Sequence, residues 1–337
     1  MILMDHAYHD LIATNEFFLQ SSSVLVICAG FEERAVNSLQ QAIDARSDNV
    51  HIIIIDYLPY VKENKKEEII KLCDDAGFSY QVITYDRGDP AGGASEILSI
   101  LPNNFTSLYV DISGMSRLLI VQVIQEIIHN SLQEKVSLLY SVAEEYHPTK
   151  DAYEHEIIMT DEARQDAVMF ISSGVLDMTI VPELSSVAQQ GQPIRLVVFP
   201  SFNPSQLDVV SGAVQPSHYT IINGIPPDKR YKWRQKAIRQ LNRIVSLPHG
   251  EEVATSTLDY RETIHELLRI YDNYGCLERI IISPTGSKMQ SVAVGIVRAY
   301  LNDIQIVYPT PRELHAREYT TGSIQLYELQ LSGLPKN

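Results

Sequence analysis

The stretch Ile280-Ile281-Ile282-Ser283-Pro284-Thr285-Gly286-Ser287-Lys288-Met289 has the order of a strand, a turn and a helix. Its apolar start is typical of a buried strand, and an apolar helix over residues 290–301 is predicted to follow the small-residue turn at once. Such a turn directs backbone N–H groups outward at the positive end of the helix, with Lys288 beside them. This arrangement indicates a site for phosphate or another anion.

A second stretch of the same kind lies earlier in the chain, at Leu108-Tyr109-Val110-Asp111-Ile112-Ser113-Gly114-Met115-Ser116-Arg117, again before an apolar helix. Three pairs of landmarks share nearly one spacing: Gly114 and Gly286, Phe31 and Phe202, and Tyr140 and Tyr308. A repeat of this length predicts two domains related by internal duplication. The alternative, that any two α/β domains look alike at this level of detail, stays open.

Short apolar runs alternate with helical patterns along both halves of the chain. The apolar runs include residues 24–29, 51–56, 195–199 and 279–283. Strands that are apolar throughout and separated by helices are expected in a parallel sheet covered on both faces. The sequence therefore predicts an α/β fold of two Rossmann-like, doubly wound parallel-sheet domains. The expected bounds are residues 1–160 and 193–337, with a connecting segment at residues 161–192.

The composition limits the classes of partner. A net charge of −15 argues against a general affinity for DNA or RNA, because binding a polyanion needs an excess of Lys and Arg. A small nucleotide held in a local basic pocket is compatible with that charge. The three cysteines, Cys28, Cys73 and Cys276, are odd in number and form no CxxC, which predicts reduced thiols instead of a disulfide framework or a zinc site.

Several familiar sequence signals are absent from the chain. Its start has no basic and apolar signal-peptide pattern, and no apolar run approaches the length of a membrane span, so we expect a cytoplasmic protein without a membrane partner. The motifs GxxxxGK[ST], HExxH and GxSxG do not occur. We therefore expect no metal and no cofactor other than a nucleotide ligand.

In an open α/β sheet, ligands bind beyond the carboxyl ends of the strands, so the loops at those ends are the candidate sites. The predicted ligand-binding residues are Phe31, Arg34, Ser113, Gly114, Ser116 and Arg117 in the first half, and Thr285, Gly286, Ser287, Lys288 and Arg312 in the second. For the two turns the alternative is a capped helix, since Ser and Thr are common N-caps and Gly eases a turn.

Three carboxylates at predicted strand ends are candidate catalytic groups. Glu32 and Glu33 follow the first strand, and Asp111 ends the fourth. The pair Glu32 and Glu33 can act as a general base or a metal ligand, and Asp111 can orient a water or bind a ribose hydroxyl. The alternative for Glu32 and Glu33 is an acidic first helical turn, which the helix dipole favours, and Asp111 can simply cap a helix.

A long basic helix is predicted over residues 228–246. Around the single Trp233 it concentrates Lys229, Arg230, Lys232, Arg234, Lys236, Arg239 and Arg243. In an acidic chain such a helix can face an anionic ligand, a nucleic acid strand or an acidic partner. The alternative is a solvated helix paired with the acidic surface of its own protein.

The apolar strand, the Ser-Pro-Thr-Gly-Ser-Lys-Met turn and the helix after it together resemble the CARF (CRISPR-associated Rossmann fold) and related nucleotide-sensing domains of prokaryotic immunity. Members of that family carry a Thr/Ser-Gly-Gly-Thr-Lys-like turn after the fourth strand and bind cyclic oligonucleotides across a pair of domains. The matching positions are Thr285, Gly286, Ser287 and Lys288, and less closely Ser113, Gly114, Ser116 and Arg117, with one Gly where the family has two.

The resemblance implies a sensor or adaptor in antiphage defence that binds a nucleotide-type anionic ligand such as a cyclic oligonucleotide. The duplicated chain would imitate the family's paired domains, a homodimer is a second arrangement, and an effector would be a separate protein. One alternative is a nucleotide-cleaving enzyme, either a ring-nuclease-like phosphodiesterase or another nucleotide hydrolase. A further alternative is a scaffold that binds an acidic macromolecule through residues 228–246. The sequence leaves these functions open.

Overall fold

A computed structural model describes Leu3, Leu247 and residues 6–47, 49–159, 172–244, 250–315 and 319–336. The helices are α1 Asn37–Asp44, α2 Lys66–Ala76, α3 Gly93–Ser99, α4 Arg117–His129, α5 Lys150–Met159, α6 Pro204–Val214, α7 Trp233–Leu241, α8 Tyr260–Tyr274 and α9 Lys288–Tyr300. The strands are β1 Ile12–Thr14, β2 Ser23–Cys28, β3 His51–Leu58, β4 Ser79–Asp86, β5 Ser107–Asp111, β6 Val136–Val142, β7 Glu145–Tyr146, β8 Ser172–Thr179, β9 Ile194–Val198, β10 His218–Ile225, β11 Gly250–Ser256, β12 Arg279–Ser283, β13 Gln305–Ile306, β14 Tyr308–Leu314, β15 Thr320–Thr321 and β16 Gln325–Gln330.

The chain forms two compact units with bounds that differ from the expected ones. Unit 1 consists of Met1–Tyr146 together with Thr320–Asn337, and unit 2 is His147–Tyr319. The C-terminal residues return to unit 1 because β16 pairs antiparallel with β6 along its whole length. The alternating pattern of this segment is typical of a strand, but the choice of partner strand is a long-range property that the pattern does not carry.

The main sheet of unit 1 has the strand order β1-β16-β6-β5-β2-β3-β4. The five strands from β6 to β4 are parallel, and β16 and β1 add antiparallel pairs at one side. Every residue of β2 is buried. On one face Leu25 and Ile54 pack with Leu39 of α1 and Ile69 of α2. The continuous apolar runs therefore form inner strands, as the sequence predicts.

The sheet of unit 2 has the order β11-β10-β9-β12-β13, and all its strands are parallel. Its core includes Leu196 and Val198 of β9, Ile221 of β10 and Ile281 of β12, with Val210 of α6 packed against them. A separate antiparallel pair, β8 and β14, belongs to the same unit. The α/β class predicted from the sequence is confirmed.

The two parallel arrangements share one order. In each unit the first parallel strand (β2 or β9) lies in the middle, with the second strand on one side and the fourth on the other. The loops that follow the first and fourth strands therefore start side by side at the carboxyl edge of the sheet. These are the loops in which the sequence predicts the sites.

Two predicted segments differ from the structure. The connecting segment 161–192 contains β8, which pairs with β14, and a 3-10 turn at Pro182–Leu184; residues 161–171 lie outside the described residues. The basic helix expected over 228–246 is a 3-10 turn, Lys229–Tyr231, followed by the shorter α7. α7 ends because the Asn242 side chain bonds back to the carbonyl of Ile238, and Arg243 takes a left-handed backbone with φ 48°. Val245 and Ser246 lie outside the described part of the chain.

None of the described helices has both the length and the apolar character that crossing a bilayer requires.

Candidate functional site

The turn at residues 285–288 of unit 2 joins β12 to α9 and is fastened to the end of β9. The hydroxyl of Thr285 donates a 2.6 Å hydrogen bond to the carbonyl of Phe199, which directly follows β9. A Cβ added to Gly286 would meet the side-chain oxygen of Gln290 and would lie 2.9 Å from the Cβ of Phe199. A larger residue would therefore disturb both the start of α9 and the close approach of the first and fourth strand ends.

Ser287 caps α9 through a reciprocal pair of hydrogen bonds with Gln290. The Gln290 N–H donates to the Ser287 hydroxyl at 3.1 Å, and the Ser287 N–H donates to the Gln290 side-chain oxygen at 2.8 Å. The Gln290 amide nitrogen then donates to the Thr255 hydroxyl on β11 at 3.0 Å. Ser287 therefore caps the helix, as the alternative interpretation expects. A ligand at this turn would contact the backbone N–H groups of the first turn of α9 and the half-buried Lys288.

Beneath the turn lies a small cavity of about 10 Å³. It is lined by Val198, Pro200, Ser201, Asn203, Gln206, Leu207, Val210, Asn242, Ser283 and Thr285. That volume holds about one water. A ligand at the strand ends would therefore bind on the outer side of the turn and not inside the sheet edge.

The matching turn of unit 1 is also closed by internal contacts. Ser116 caps α4 by accepting from the Leu119 N–H at 3.3 Å, and the half-buried Arg117 is the first residue of that helix. A Cβ on Gly114 would lie 2.7 Å from the carbonyl oxygen of Cys28 at the end of β2. Ser113 accepts from the Ser141 N–H at 2.8 Å. In both units, therefore, the glycine of the turn touches the end of the first strand.

Each candidate catalytic carboxylate has protein partners in unit 1. Asp111 is fully buried and accepts from the hydroxyl of Ser38 and, at 2.7 Å, from the N–H of Ser113. Glu33 is exposed and accepts from the Gly322 N–H at 2.7 Å. These hydrogen bonds hold the loops of unit 1 in place. A catalytic role for the carboxylates stays a prediction.

Glu32 and Arg34 form a buried ion pair next to two tyrosines. The remaining Arg34 nitrogen, Nη1, donates to the Tyr140 hydroxyl at 3.1 Å, and the guanidinium lies 5.4 Å and 5.5 Å from the ring centres of Tyr140 and Tyr146. Burial opposes the charge of Arg34, but Glu32 and the two tyrosines outweigh it, so the pKa of Arg34 is raised. Burial is also the main cause of the raised pKa of Tyr146. Arg34 is therefore a buried cation whose contacts with Glu32 and Tyr140 lie within unit 1.

The two remaining predicted residues are Phe31 and Arg312. Phe31 is half-buried in the loop between β2 and the 3-10 turn Glu33–Val36 of unit 1, directly after Gly30, which lies against Gly114. Arg312 is exposed on β14, where its Nη2 donates to the Val175 carbonyl on β8 at 3.4 Å. The sequence places Arg312 in a loop after the fifth strand, but in the structure that segment is a strand of the β8–β14 pair.

The basic segment divides into arginines with protein partners and exposed lysines. Arg230 pairs with Asp228 at 2.7 Å, and Arg234 donates to the carbonyls of His147 and Pro148 while covering the ring of Phe202 at 4.5 Å. Lys229, Lys232 and Lys236 are exposed. Because Arg234 fastens the start of unit 2 to α7, only part of the predicted positive face is directed to solvent.

An open pocket that sequence reasoning misses lies between α7, β10 and β11 in unit 2. It has a volume of about 270 Å³ and is lined by Asn223, Gln235, Lys236, Arg239, Glu252, Val253 and Ala254. The one sequence signal is Asn223, a polar residue directly after the apolar Ile221 and Ile222 of β10. Because Asn223 and Glu252 are far apart in the chain, their association is visible only in the fold.

Within the described ranges, no three His, Cys, Asp or Glu side chains come together as a metal site requires.

No family model matches the chain, and no curated protein does. Among solved structures, the chain has a likeness to the cytoplasmic domain of a prokaryotic cation chloride cotransporter, with 7% identity over 89% of this chain and 99% of that one and a TM-score of 0.26. A second likeness is to the adenylation, ketoreductase and pseudo Asub structure of a keto acid-selecting NRPS module, with 7% identity over 82% of this chain and 27% of that one and a TM-score of 0.19. At these TM-scores neither likeness supports an argument about fold or function.

Proposed function

We propose that unit 2 binds a small anionic ligand of nucleotide type at the carboxyl ends of its parallel strands, and that the two units are Rossmann-like domains related by duplication. The observation that carries the proposal is the strand order common to both sheets. It brings a Ser/Thr-Gly turn in each unit to the same place, beside the loop that follows the first strand. Open α/β sheets bind ligands at this place, where the strand order reverses.

The turn in unit 2 is the better anion site of the two for an electrostatic reason. The first turn of α9 presents the positive end of a 13-residue helix, and Lys288 is its first residue. The same place in unit 1 has Arg117 at the start of α4, but Asp111 lies buried directly behind that turn. A dianionic phosphate is therefore favoured at Lys288, on the outer side of the turn.

The role of such a site follows from the resemblance of residues 285–288 to nucleotide-sensing domains of prokaryotic immunity. We place the protein in antiphage defence as a sensor or adaptor whose effector is a separate chain. The hydrogen bonds of Glu33 and Asp111 and the ion pair of Glu32 use these carboxylates within unit 1. That use favours binding without turnover over nucleotide cleavage.

Thermal unfolding with a panel of mononucleotides, dinucleotides and cyclic oligoadenylates tests this proposal. A binding nucleotide at a hundredfold excess over its Kd should raise the Tm by about 5 °C or more. Lys288→Ala should weaken the binding about tenfold, because one charge-assisted hydrogen bond to phosphate is lost. The matched control is Lys232→Ala, which removes the same charge from an exposed position of unit 2 just before α7.

Two results would contradict the proposal: no nucleotide of the panel raises the Tm, or Lys288→Ala binds as tightly as the unmodified protein. Mass spectrometry of the incubated nucleotides decides between binding and cleavage. Recovery of the intact nucleotide supports a sensor or adaptor. Cleaved products would instead identify the protein as a nucleotide-cleaving enzyme.

A further inference from the structure

The pocket between α7 and β11 has a buried polar group at its wall. Asn223 of β10 is only 2% exposed, and its amide nitrogen donates to the Glu252 carboxylate at 2.6 Å. Because a carboxylate only accepts hydrogen bonds, this contact determines the orientation of the amide. The other end of the amide, Oδ1, is a buried acceptor without a hydrogen-bond partner among the described residues. An acceptor left in that state costs free energy, which a donor group would recover if it reached this oxygen from the pocket.

Glu252 is neutralised, which leaves the pocket with a net positive charge. Arg239 holds this carboxylate with Nε and with Nη2, the latter at 2.7 Å from Oε2. The ammonium of Lys236, one helical turn before Arg239, adds a cation on the same wall. The lining therefore has two cations against one anion in a protein of net charge −15. A ligand with a negative group is favoured there and would be disfavoured over most of the surface.

Further hydrogen-bonding groups come from the pocket rim. Gln235 offers both a donor and an acceptor, and Val253 and Ala254 belong to β11, the last strand of the described sheet of unit 2. One side of an edge strand carries backbone N–H and C=O groups that no neighbouring strand uses. The lining thus combines cations for an anionic group with acceptors for hydroxyl groups.

The geometry points to a binding site for a small phosphorylated polyol, with the phosphate at Lys236 and Arg239 and a hydroxyl donating towards Asn223. The volume of about 270 Å³ is below that of sites for drug-sized ligands, and it suits a pentose phosphate. A free sugar phosphate and the ribose-phosphate part of a nucleotide share this chemistry. None of the lining residues belongs to the turn at residues 285–288, so this site is separate from the one proposed above.

Isothermal titration of the full chain with ribose 5-phosphate is the direct test. Ribose and inorganic phosphate, each carrying half of the proposed chemistry, should bind at least about tenfold more weakly than ribose 5-phosphate. Adenosine monophosphate, titrated into Lys288→Ala so that the strand-end site contributes little, is the second arm: equal or tighter binding than ribose 5-phosphate identifies a nucleotide as the source of the ribose phosphate, and weaker binding identifies a free sugar phosphate.

Variants locate the site. Lys236→Gln should raise the Kd for ribose 5-phosphate about tenfold, and Gln235→Ala should raise it by a smaller factor. Lys232→Gln, which removes the same charge just before α7, should leave the Kd unchanged, and so should Lys288→Ala. Because Lys288→Ala affects only the strand-end site, either proposal can fail while the other survives. Asn223→Ala removes the unpartnered acceptor, and a circular dichroism melt of that variant checks its fold.

Three outcomes would overturn the inference. In the first, ribose 5-phosphate at millimolar concentration gives no binding heat. In the second, inorganic phosphate binds as tightly as ribose 5-phosphate, which would show an adventitious ion only. In the third, Lys236→Gln and Lys232→Gln weaken binding equally, which would show a general surface attraction.

Discussion

Arg34 and Glu32 of unit 1 form an ion pair with a separation of 2.7 Å, and their side chains are only 5% and 8% exposed. Thr320, which returns to unit 1 from the far end of the chain, donates its hydroxyl to the same Glu32 oxygen at 2.8 Å. The pair therefore joins the loop after β2 to the C-terminal part of the unit.

Glu32→Gln should lower the free energy of unfolding of unit 1 by about 3–5 kcal/mol, because it leaves the Arg34 charge buried without its partner. Urea unfolding measures the change. Glu33→Gln, at the neighbouring exposed carboxylate, should cost less than about 1 kcal/mol. The double variant Glu32→Gln/Arg34→Met should recover part of the loss, since it removes the unpaired charge. Equal effects of the two single variants would contradict this account.

The caps of α9 and α4 should differ in strength. Ser287 and Gln290 bond reciprocally, whereas Ser116 caps α4 through its hydroxyl at the longer distance of 3.3 Å. We expect Ser287→Ala to lower the free energy of unfolding by about 1–2 kcal/mol and Ser116→Ala by about 0.5–1 kcal/mol. Denaturant midpoints at constant m-value measure both, and a larger loss in Ser116→Ala would refute the ranking.

Glycine substitutions test the close approach of strand ends. A Cβ at residue 286 would meet the side chains of Gln290 and Phe199, and a Cβ at Gly114 would meet the backbone carbonyl of Cys28. Gly286→Ala and Gly114→Ala should each lower the free energy of unfolding by about 1–3 kcal/mol, with the larger effect at Gly114 because a backbone carbonyl moves less readily than a side chain. Gly212 in α6 has open space around it, so Gly212→Ala should raise stability by up to about 1 kcal/mol. Thermal melts of the three variants give the comparison, and a neutral Gly114→Ala would contradict it.

The parallel strands of both units were predictable because burial on both faces leaves a local mark, the short apolar runs within β2, β3, β9 and β12. The helix start at Gly286 was also predictable from local sequence, because a small-residue turn there separates an apolar strand from an apolar helix. Its internal hydrogen bonds were not, since Thr285 bonds to a carbonyl that precedes it by 86 positions. Residue type suggests an anion cradle and a cap equally well, and only the fold shows which partners the hydroxyls have.

The bounds of the two units and the pocket at α7 could not be predicted from the sequence, because both are formed by long-range contacts. The alternation of β16 indicates a strand, but its partner β6 lies in the first half of the chain. The row of cations around Trp233 suggests one continuous basic face, yet Arg239 is held by Glu252 on β11. A charge pattern on a helix does not reveal the acids that tertiary structure brings to it.

The buried Cys73 of α2 should make unfolding pH-dependent above the ordinary range. Burial raises the pKa of its thiol to about 11 from an ordinary value of about 9. Between these values the unfolded chain loses this proton while the folded protein keeps it, so stability should fall as pH rises from about 9 and level off above about 11. Urea unfolding at several alkaline pH values measures the slope, and Cys73→Ala should reduce it. An unchanged slope in Cys73→Ala would disprove the assignment.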